Sequence, residues 1–228
     1  MTSTLPITSA PLASDYTQDT AAGIALSELA HDLYRRGWMA GTSGNLSVRL
    51  AREDTVLITA SGLGKGRLSP SDTVLVSATT GEPLVAGSAR PSAETSIHIA
   101  LYQAFPDCGA VVHAHTPYAT ALASRAARAG ERWVRFTDFE LIKGMGRPFV
   151  DTITIPVFPN WPEVPRIAAE VKDHYAASEG DTAPVLLIAH HGATAWGANL
   201  AEATDRLECL EALSHLALLV EDARTSNH

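Results

Sequence analysis

The sequence predicts a single α/β domain with a central mixed, largely antiparallel β-sheet flanked by helices. Strand-like and helix-like segments are interspersed along the chain, and paired strands dominate its first half. No linker or internal repeat divides the 228 residues, which are enough to bury one substantial core. These observations favour one domain with one sheet.

The first half is predicted to begin with a helix and to continue with short strands. Apolar residues recur at helical spacing over about residues 19–36, and Gly37 suits the end of that helix. Turn residues separate the strands that follow. These strands are predicted over residues 46–50, Thr55–Thr59 and Thr73–Ser77.

The second half is predicted to alternate between helices and buried strands. The strands are short apolar runs, and the helices show apolar residues on one face. Helices are predicted over residues 92–105, 118–129, Val164–Ala177 and 199–220, and strands over 108–112, 152–157 and Val185–Ile188.

The chain ends are predicted to be tails around the folded domain. Residues 1–18 are rich in Ser, Thr and Pro and lack the basic start and apolar block of a signal peptide. The domain is placed at residues 19–222, with a second tail at 223–228. No apolar segment is long enough to cross a bilayer, so we expect a cytoplasmic protein.

Charge and cysteine content exclude several classes of partner. The net charge is −8, and no cluster of basic residues is present, so neither nucleic acid nor a membrane surface is expected as a partner. Cys108 and Cys209 form no CxxC motif or disulfide framework and are expected to be small core residues.

Two histidines close the predicted strand at residues 108–112. Because side chains alternate along a strand, His113 and His115 point in the same direction, as two ligands of one metal ion would. The alternative is a pair of histidines with only local hydrogen bonds. A third imidazole follows the strand Val185–Ile188, but spacing cannot choose between His190 and His191. His98, on an apolar helix face, is expected to lie in the core or to support a ligand.

Three loops of small polar residues could hold an anion. They contain Gly44 and Asn45, Ser61 and Gly62 (followed by Lys65), and Ser92 at a helix start. Each loop alone could be an ordinary turn. Together, beside a metal motif, they favour a phosphorylated small molecule as the ligand.

Two carboxylates are candidates for general acid–base chemistry. Glu94 lies in the first turn of a predicted helix, where it could instead stabilise the helix dipole. Glu140 could instead be a surface charge or a partner of Lys143. The residues alone leave both alternatives open.

Taken together, these segments resemble the class II (zinc-dependent) sugar-phosphate aldolase superfamily over roughly residues 26–220. Within that superfamily the chain is most similar to the methylthioribulose-1-phosphate dehydratases. The superfamily motifs match residues 41–47, 91–95, 113–116 and 191–197, and motifs typical of the dehydratases match 59–62, 140–144 and 155–160.

The resemblance implies an aldolase-like catalytic domain and a set of site residues. It implies one Zn²⁺ per subunit on His113, His115 and His191, although three histidines also suit iron, nickel or cobalt. In the dehydratases the acid–base carboxylate matches Glu140, and in the aldolases it matches Glu94. The implied phosphate contacts are Gly44, Asn45, Ser61, Gly62 and Ser92.

The resemblance also implies the reaction. A homotetramer would dehydrate 5-methylthioribulose 1-phosphate to 2,3-diketo-5-methylthiopentyl 1-phosphate in methionine salvage. The alternatives are a retro-aldolase acting on a ketose or deoxyketose 1-phosphate, and a non-catalytic metal-binding protein. Aldolase and epimerase members have a tyrosine near the C-terminus, whereas no tyrosine follows Tyr175 here. This departure argues against the retro-aldolase.

Overall fold

The computed structural model describes residues 13–146, 151–178 and 182–225. An eight-stranded mixed sheet forms its centre, with strand order β3-β2-β1-β4-β8-β7-β6-β5. Every neighbouring pair is antiparallel except β6 and β7, which confirms the predicted fold class. The strands are β1 Asn45–Arg49, β2 Thr55–Thr59, β3 Thr73–Ser77, β4 Ala110–Ala114, β5 Trp133–Thr137, β6 Thr152–Phe158, β7 Val185–Ile188 and β8 Gly192–Gly197.

Helices cover both faces of the sheet. Helices α1, α3 and α5 bury their apolar sides in one core, and α2 and α4 pack in a second core on the opposite face. Alternation along β4 serves both cores, because Val111 faces one and Val112 faces the other. No helix in the described ranges combines the length and the apolar character that a membrane span requires. The helices are α1 Ala13–Arg35, α2 Thr95–Ala104, α3 Pro117–Arg128, α4 Val164–Ala177 and α5 Leu200–Thr225, with 3₁₀ turns at Lys65–Arg67 and Glu140–Met145.

Two strands were not predicted. In β5, exposed and buried residues alternate, with Val134 and Phe136 inward, and this alternation was the signal available in the sequence. β8 consists mostly of small residues with glycine at both ends, a composition that does not favour a strand. It becomes a strand because it pairs with β4 on one side and β7 on the other.

The outer helices extend beyond the predicted domain. α1 begins at Ala13, so residues 13–18 of the predicted tail are helical. The sequence between Pro11 and Gly23 contains no residue that breaks a helix, which permits this extension. α5 reaches Thr225, three residues past the predicted limit of 222. Residues 1–12 and 226–228 lie outside the described residues.

Strand directions define two ends of the sheet. The amino ends of β1 and β8 and the carboxyl ends of β4 and β7 meet at one end, which we call the histidine end. β6 runs parallel to β7, so its carboxyl end also lies there. The carboxyl end of β5 pairs with the start of β6, Thr137 with Thr152, and therefore lies at the opposite end.

Candidate active site

Three histidines meet at the histidine end of the sheet. His113 belongs to β4, His115 follows it, and His191 lies in the turn between β7 and β8. One ring nitrogen from each lies within 4.8 Å of the others, a group that could hold a metal ion. The structure brings His191 to the pair, whereas His190 is exposed and stands apart from this group of three, which we call the histidine triad.

The turn between β7 and β8 brings His191 into place through two backbone features. His190 adopts a left-handed conformation, with φ of 59°, which reverses the chain. Gly192 then passes very close to β4, since a Cβ atom there would lie 2.5 Å from the carbonyl oxygen of Ala114. A glycine is therefore required for this approach.

The triad fits a metal by its donor chemistry and by its hydrogen bonding. Thr194 Oγ1 lies 2.9 Å from His113 Nδ1, whereas His191 Nδ1 is buried without a hydrogen-bond partner, and so is His113 Nε2, whose contact with Glu94 Oε2 at 3.2 Å is not a hydrogen bond. A buried polar atom without a partner costs free energy, and a metal ion would supply the partner. Three imidazoles match the ligand set of many catalytic zinc sites.

Burial keeps His113 and His115 in the protonation state that metal ligands need. It lowers the pKa of His113 to about 3, despite the opposing charge of Glu94. Burial also lowers the pKa of His115. Both imidazoles are therefore neutral at neutral pH and can offer a lone pair without first losing a proton.

Glu94 is the carboxylate that contacts the triad. It precedes α2 and is buried, with Oε1 2.8 Å from His191 Nε2 and Oε2 3.2 Å from His113 Nε2. Burial alone would raise the pKa of Glu94. The neighbouring His113, with hydrogen bonds from His191 and Asn45, outweighs burial and holds that pKa well below its usual range. Glu94 is thus an ionised carboxylate beside the triad.

The candidate phosphate residues share one pocket with the triad. This cavity of about 300 Å³ is bordered by His115, His191 and Glu94. All five residues implied by the resemblance line it, namely Gly44, Asn45, Ser61, Gly62 and Ser92. The three loops that looked like separate turns in the sequence therefore form one concave surface beside the histidines.

Asn45 has more partners than its predicted role required. Its side chain donates from Nδ2 to Glu94 Oε2 at 2.5 Å and accepts at Oδ1 from His98 Nε2 at 2.6 Å. His98 is completely buried, which confirms the expectation that it lies in the core behind the site. The Asn45 amide therefore connects the core to Glu94.

Lys65, named with the second anion loop in the sequence but not among the implied phosphate contacts, also lines this pocket. Its side chain is only 1% exposed, and Nζ donates to the carbonyl oxygens of Thr42 and Leu63 at 3.0 and 3.1 Å. Burial lowers the pKa of Lys65, against the opposing effect of the Glu94 charge. Its place after Ser61-Gly62 was the available signal. The amine ties two of the anion loops together.

The structure does not bring Glu140 to the triad within one chain. Glu140 follows β5 and therefore lies at the end of the sheet opposite to the histidines. Its side chain is 83% exposed and pairs with Lys143 at 2.9 Å, the alternative considered above. Glu140 therefore lies apart from the triad of its own chain.

Comparison with known proteins places these residues in a family. The family model of the Class II Aldolase and Adducin N-terminal domain matches residues 24–218. A methylthioribulose-1-phosphate dehydratase from Leptospira biflexa is 40% identical over 195 residues, covering 82% of this chain and 92% of that protein.

Two further relatives differ in length and in function. A probable bifunctional methylthioribose-1-phosphate isomerase/methylthioribulose-1-phosphate dehydratase from Nocardia farcinica is 52% identical over 197 residues. That alignment covers 86% of this chain but only 35% of the relative. The solved L-fuculose-1-phosphate aldolase from Thermus thermophilus superposes with a TM-score of 0.68 at 26% identity, covering 92% of this chain and 97% of its own. The chain therefore belongs to the class II aldolase and adducin family, and within it to the methylthioribulose-1-phosphate dehydratases.

Proposed function

We propose that this protein dehydrates 5-methylthioribulose 1-phosphate to 2,3-diketo-5-methylthiopentyl 1-phosphate, a step of methionine salvage. The observation that carries the proposal is the pocket in which Glu94 and two histidines of the triad, His115 and His191, border the three anion loops. Such a pocket suits a small phosphorylated sugar whose reacting carbons lie a few bonds from its phosphate. The choice of reaction follows the names of the dehydratase relatives.

We infer that the metal is Zn²⁺, one ion per subunit, held by His113, His115 and His191. When bound, the ion would act as a Lewis acid that polarises the oxygens of the substrate beside the C3–H bond. Thr194 orients His113 for this task, because its hydroxyl lies against the ring nitrogen on the side away from the triad.

The phosphate is assigned to the loops. Glycines at 44 and 62, both with positive φ, allow backbone N–H groups to approach an anion, and the hydroxyls of Ser61 and Ser92 can donate to it. Lys65 adds a buried amine near these loops. Together they anchor the phosphate end and orient the sugar toward the histidines.

Dehydration removes the C3 proton and the C4 hydroxyl group, which leave as water, and the resulting C3 enol then takes up a proton at C4 and ketonises to the 2,3-diketone. Glu140 is assigned as the group that moves the proton and assists loss of the hydroxyl. Its exposure at the opposite end of the sheet supports a site shared between subunits, in which a neighbour contributes Glu140. A homotetramer agrees with this arrangement and stays a prediction. The cytoplasmic location and the exclusion of nucleic-acid and membrane partners also stay predictions.

A retro-aldolase acting on a ketose or deoxyketose 1-phosphate is the second candidate. The observation that favours it is the contact of Glu94 with the triad, because the aldolase carboxylate matches Glu94. Residues 176–228 contain no tyrosine to match the one that aldolases carry in this part of the chain, which argues against it.

One pair of assays separates these functions. The zinc-loaded protein is incubated with 5-methylthioribulose 1-phosphate and with ketose 1-phosphates. Release of the diketone supports the dehydratase. Release of dihydroxyacetone phosphate without the diketone would replace it with the retro-aldolase, and zinc binding without turnover of any sugar phosphate would indicate a binding protein.

A further inference from the structure

A continuous chain of buried hydrogen bonds runs from the helix α2 core to Glu94. Tyr102 Oη lies 2.8 Å from Ser47 Oγ, which lies 2.7 Å from His98 Nδ1. His98 Nε2 contacts Asn45 Oδ1 at 2.6 Å, and Asn45 Nδ2 contacts Glu94 Oε2 at 2.5 Å. Tyr102, Ser47, His98 and Asn45 are each less than 5% exposed, so water does not compete for these bonds.

Glu94, the last residue of this chain of hydrogen bonds, determines which atom is the donor and which the acceptor in each bond. The ionised carboxylate of Glu94 only accepts, so Asn45 must present its NH₂ group to Glu94 and its carbonyl oxygen to His98. His98 must then carry its proton on Nε2. Burial lowers the pKa of His98 to about 4, so the ring is neutral at neutral pH and Nδ1 accepts from Ser47. The Ser47 oxygen in turn accepts from Tyr102.

Tyr102, at the far end of this chain of hydrogen bonds, is held by a cation. The Arg49 guanidinium lies over the Tyr102 ring, 4.8 Å from its centroid, and donates to the Tyr102 carbonyl oxygen at 2.8 Å. Tyr102 is therefore fixed both by its ring and by its backbone. Each later member of the chain is oriented by the one before it.

We propose that His98, held by Ser47 and Tyr102, is a positioning residue that fixes the Asn45 amide and, through it, Oε2 of Glu94, so that Oε1 is held in contact with His191. Oε1 is the Glu94 oxygen on the His191 side. The Asn45 side chain then holds Glu94 in place. Asn45 contributes to phosphate binding through its backbone and through the remaining N–H of its amide. This inference rests on the proposed function only in its second test, which reads the turnover of 5-methylthioribulose 1-phosphate.

The first test needs no substrate, and its main readout is made on the wild-type protein. Long-range ¹⁵N–¹H NMR of the metal-loaded wild-type protein reads the tautomer of each histidine, with the His98 signals assigned by their loss in His98→Gln. We expect one tautomer, with the proton on Nε2. In Ser47→Ala the donor to Nδ1 is lost, and we expect the Nδ1–H tautomer to appear as well. A wild-type ring protonated on Nδ1 would overturn the proposal.

The second test separates positioning from simple packing. His98→Gln keeps an N–H that can reach Asn45, whereas His98→Met fills the space without a donor. We expect His98→Met to lower kcat about 10- to 100-fold while KM and metal content change by less than about twofold. The His98→Gln variant should retain most of the wild-type kcat. Equal loss in both folded variants would indicate packing alone and would overturn the proposal.

The two tests fail independently of the proposed function. If 5-methylthioribulose 1-phosphate is not turned over by the wild type, the proposed function fails while the tautomer measurement still stands. If the substrate is turned over and His98→Met has wild-type kcat, the positioning role fails and the proposed function remains.

Discussion

The hydroxyl oxygen of Thr194 lies 2.9 Å from Nδ1 of His113, across the pairing of β8 with β4. The two residues are directly opposite in the register, so their side chains share one face of the sheet. With Nδ1 bonded to Thr194, Nε2 is the His113 nitrogen presented to the triad. One cross-strand pair thereby sets which ring atom can bind a metal.

Replacing Thr194 with valine should weaken metal binding. Valine keeps the volume but removes the hydroxyl, so the His113 ring loses its orienting partner. We expect zinc affinity to fall about 10- to 100-fold, measured by competition with a chelator. Thr194→Ser, which retains the hydroxyl, is the matched control and should stay near wild type. Equal affinity in the valine and serine variants would contradict this role.

The neighbouring histidines 190 and 191 should behave oppositely. His191→Ala removes a member of the triad, and we expect its zinc content, read by metal analysis of the purified protein, to fall to background. His190→Asn should retain zinc, since His190 is exposed and asparagine tolerates its positive φ. His113→Ala should match His191→Ala in metal content and activity. Full zinc occupancy in either alanine variant would refute the ligand assignment.

Substitution of Gly192 should disturb the site through the backbone. A Cβ atom there would meet the Ala114 carbonyl oxygen at 2.5 Å and the rings of the triad at 3.1 Å. We expect Gly192→Ala to lose about 1–3 kcal/mol of unfolding free energy, measured by urea denaturation, and to bind zinc more weakly. Gly64→Ala is the control, because its added Cβ would find its nearest neighbour at 3.6 Å. Equal stability of the two variants would argue against a tight β4–β8 approach.

Glu140 should act in a neighbouring subunit. Glu140→Gln is expected to reduce turnover about 10²- to 10⁴-fold while zinc stays bound and stability changes little, because the side chain is exposed. Co-expression of Glu140→Gln with His191→Ala subunits should restore activity, since some sites then combine an intact triad with a neighbour's Glu140.

The matched control for this complementation is a mixture of His113→Ala and His191→Ala subunits. Each triad comes from one chain, so no complete triad can form and activity should stay absent. If the first mixture is as inactive as its parents, Glu140 does not act across subunits. Wild-type turnover of Glu140→Gln alone would remove Glu140 from the mechanism.

Asp54 should make stability depend on pH in acid. Hydrogen bonds from Ser77 and Thr79 lower the pKa of Asp54 in the folded state. A lowered folded-state pKa stabilises the protein above the unfolded-state value, and this contribution is lost as the pH falls through the folded-state value. Asp54→Asn should therefore be less stable than wild type at neutral pH, with the difference shrinking below about pH 4 in urea titrations. A difference independent of pH would contradict this account.

Local sequence patterns predicted most of the fold. They failed where a segment becomes a strand only because it pairs with neighbouring strands. The helices around Leu29 and Leu210 follow from apolar periodicity, and the buried strands follow from apolar runs. β8 carries no such pattern, because its small residues form a strand only between β4 and β7. α1 extends past its predicted start since no residue there stops a helix.

The sequence by itself determined the chemistry available to this protein: three histidines, two carboxylates, three loops of small polar residues and the alternation that points His113 and His115 in one direction. Only the tertiary structure decided which of these groups meet. Strand order brings His191 to the pair and leaves Glu140 at the far end of the sheet, and Glu94 reaches the triad from the start of α2. The physical reason is that ligand geometry depends on contacts between residues distant in sequence, which local periodicity does not encode.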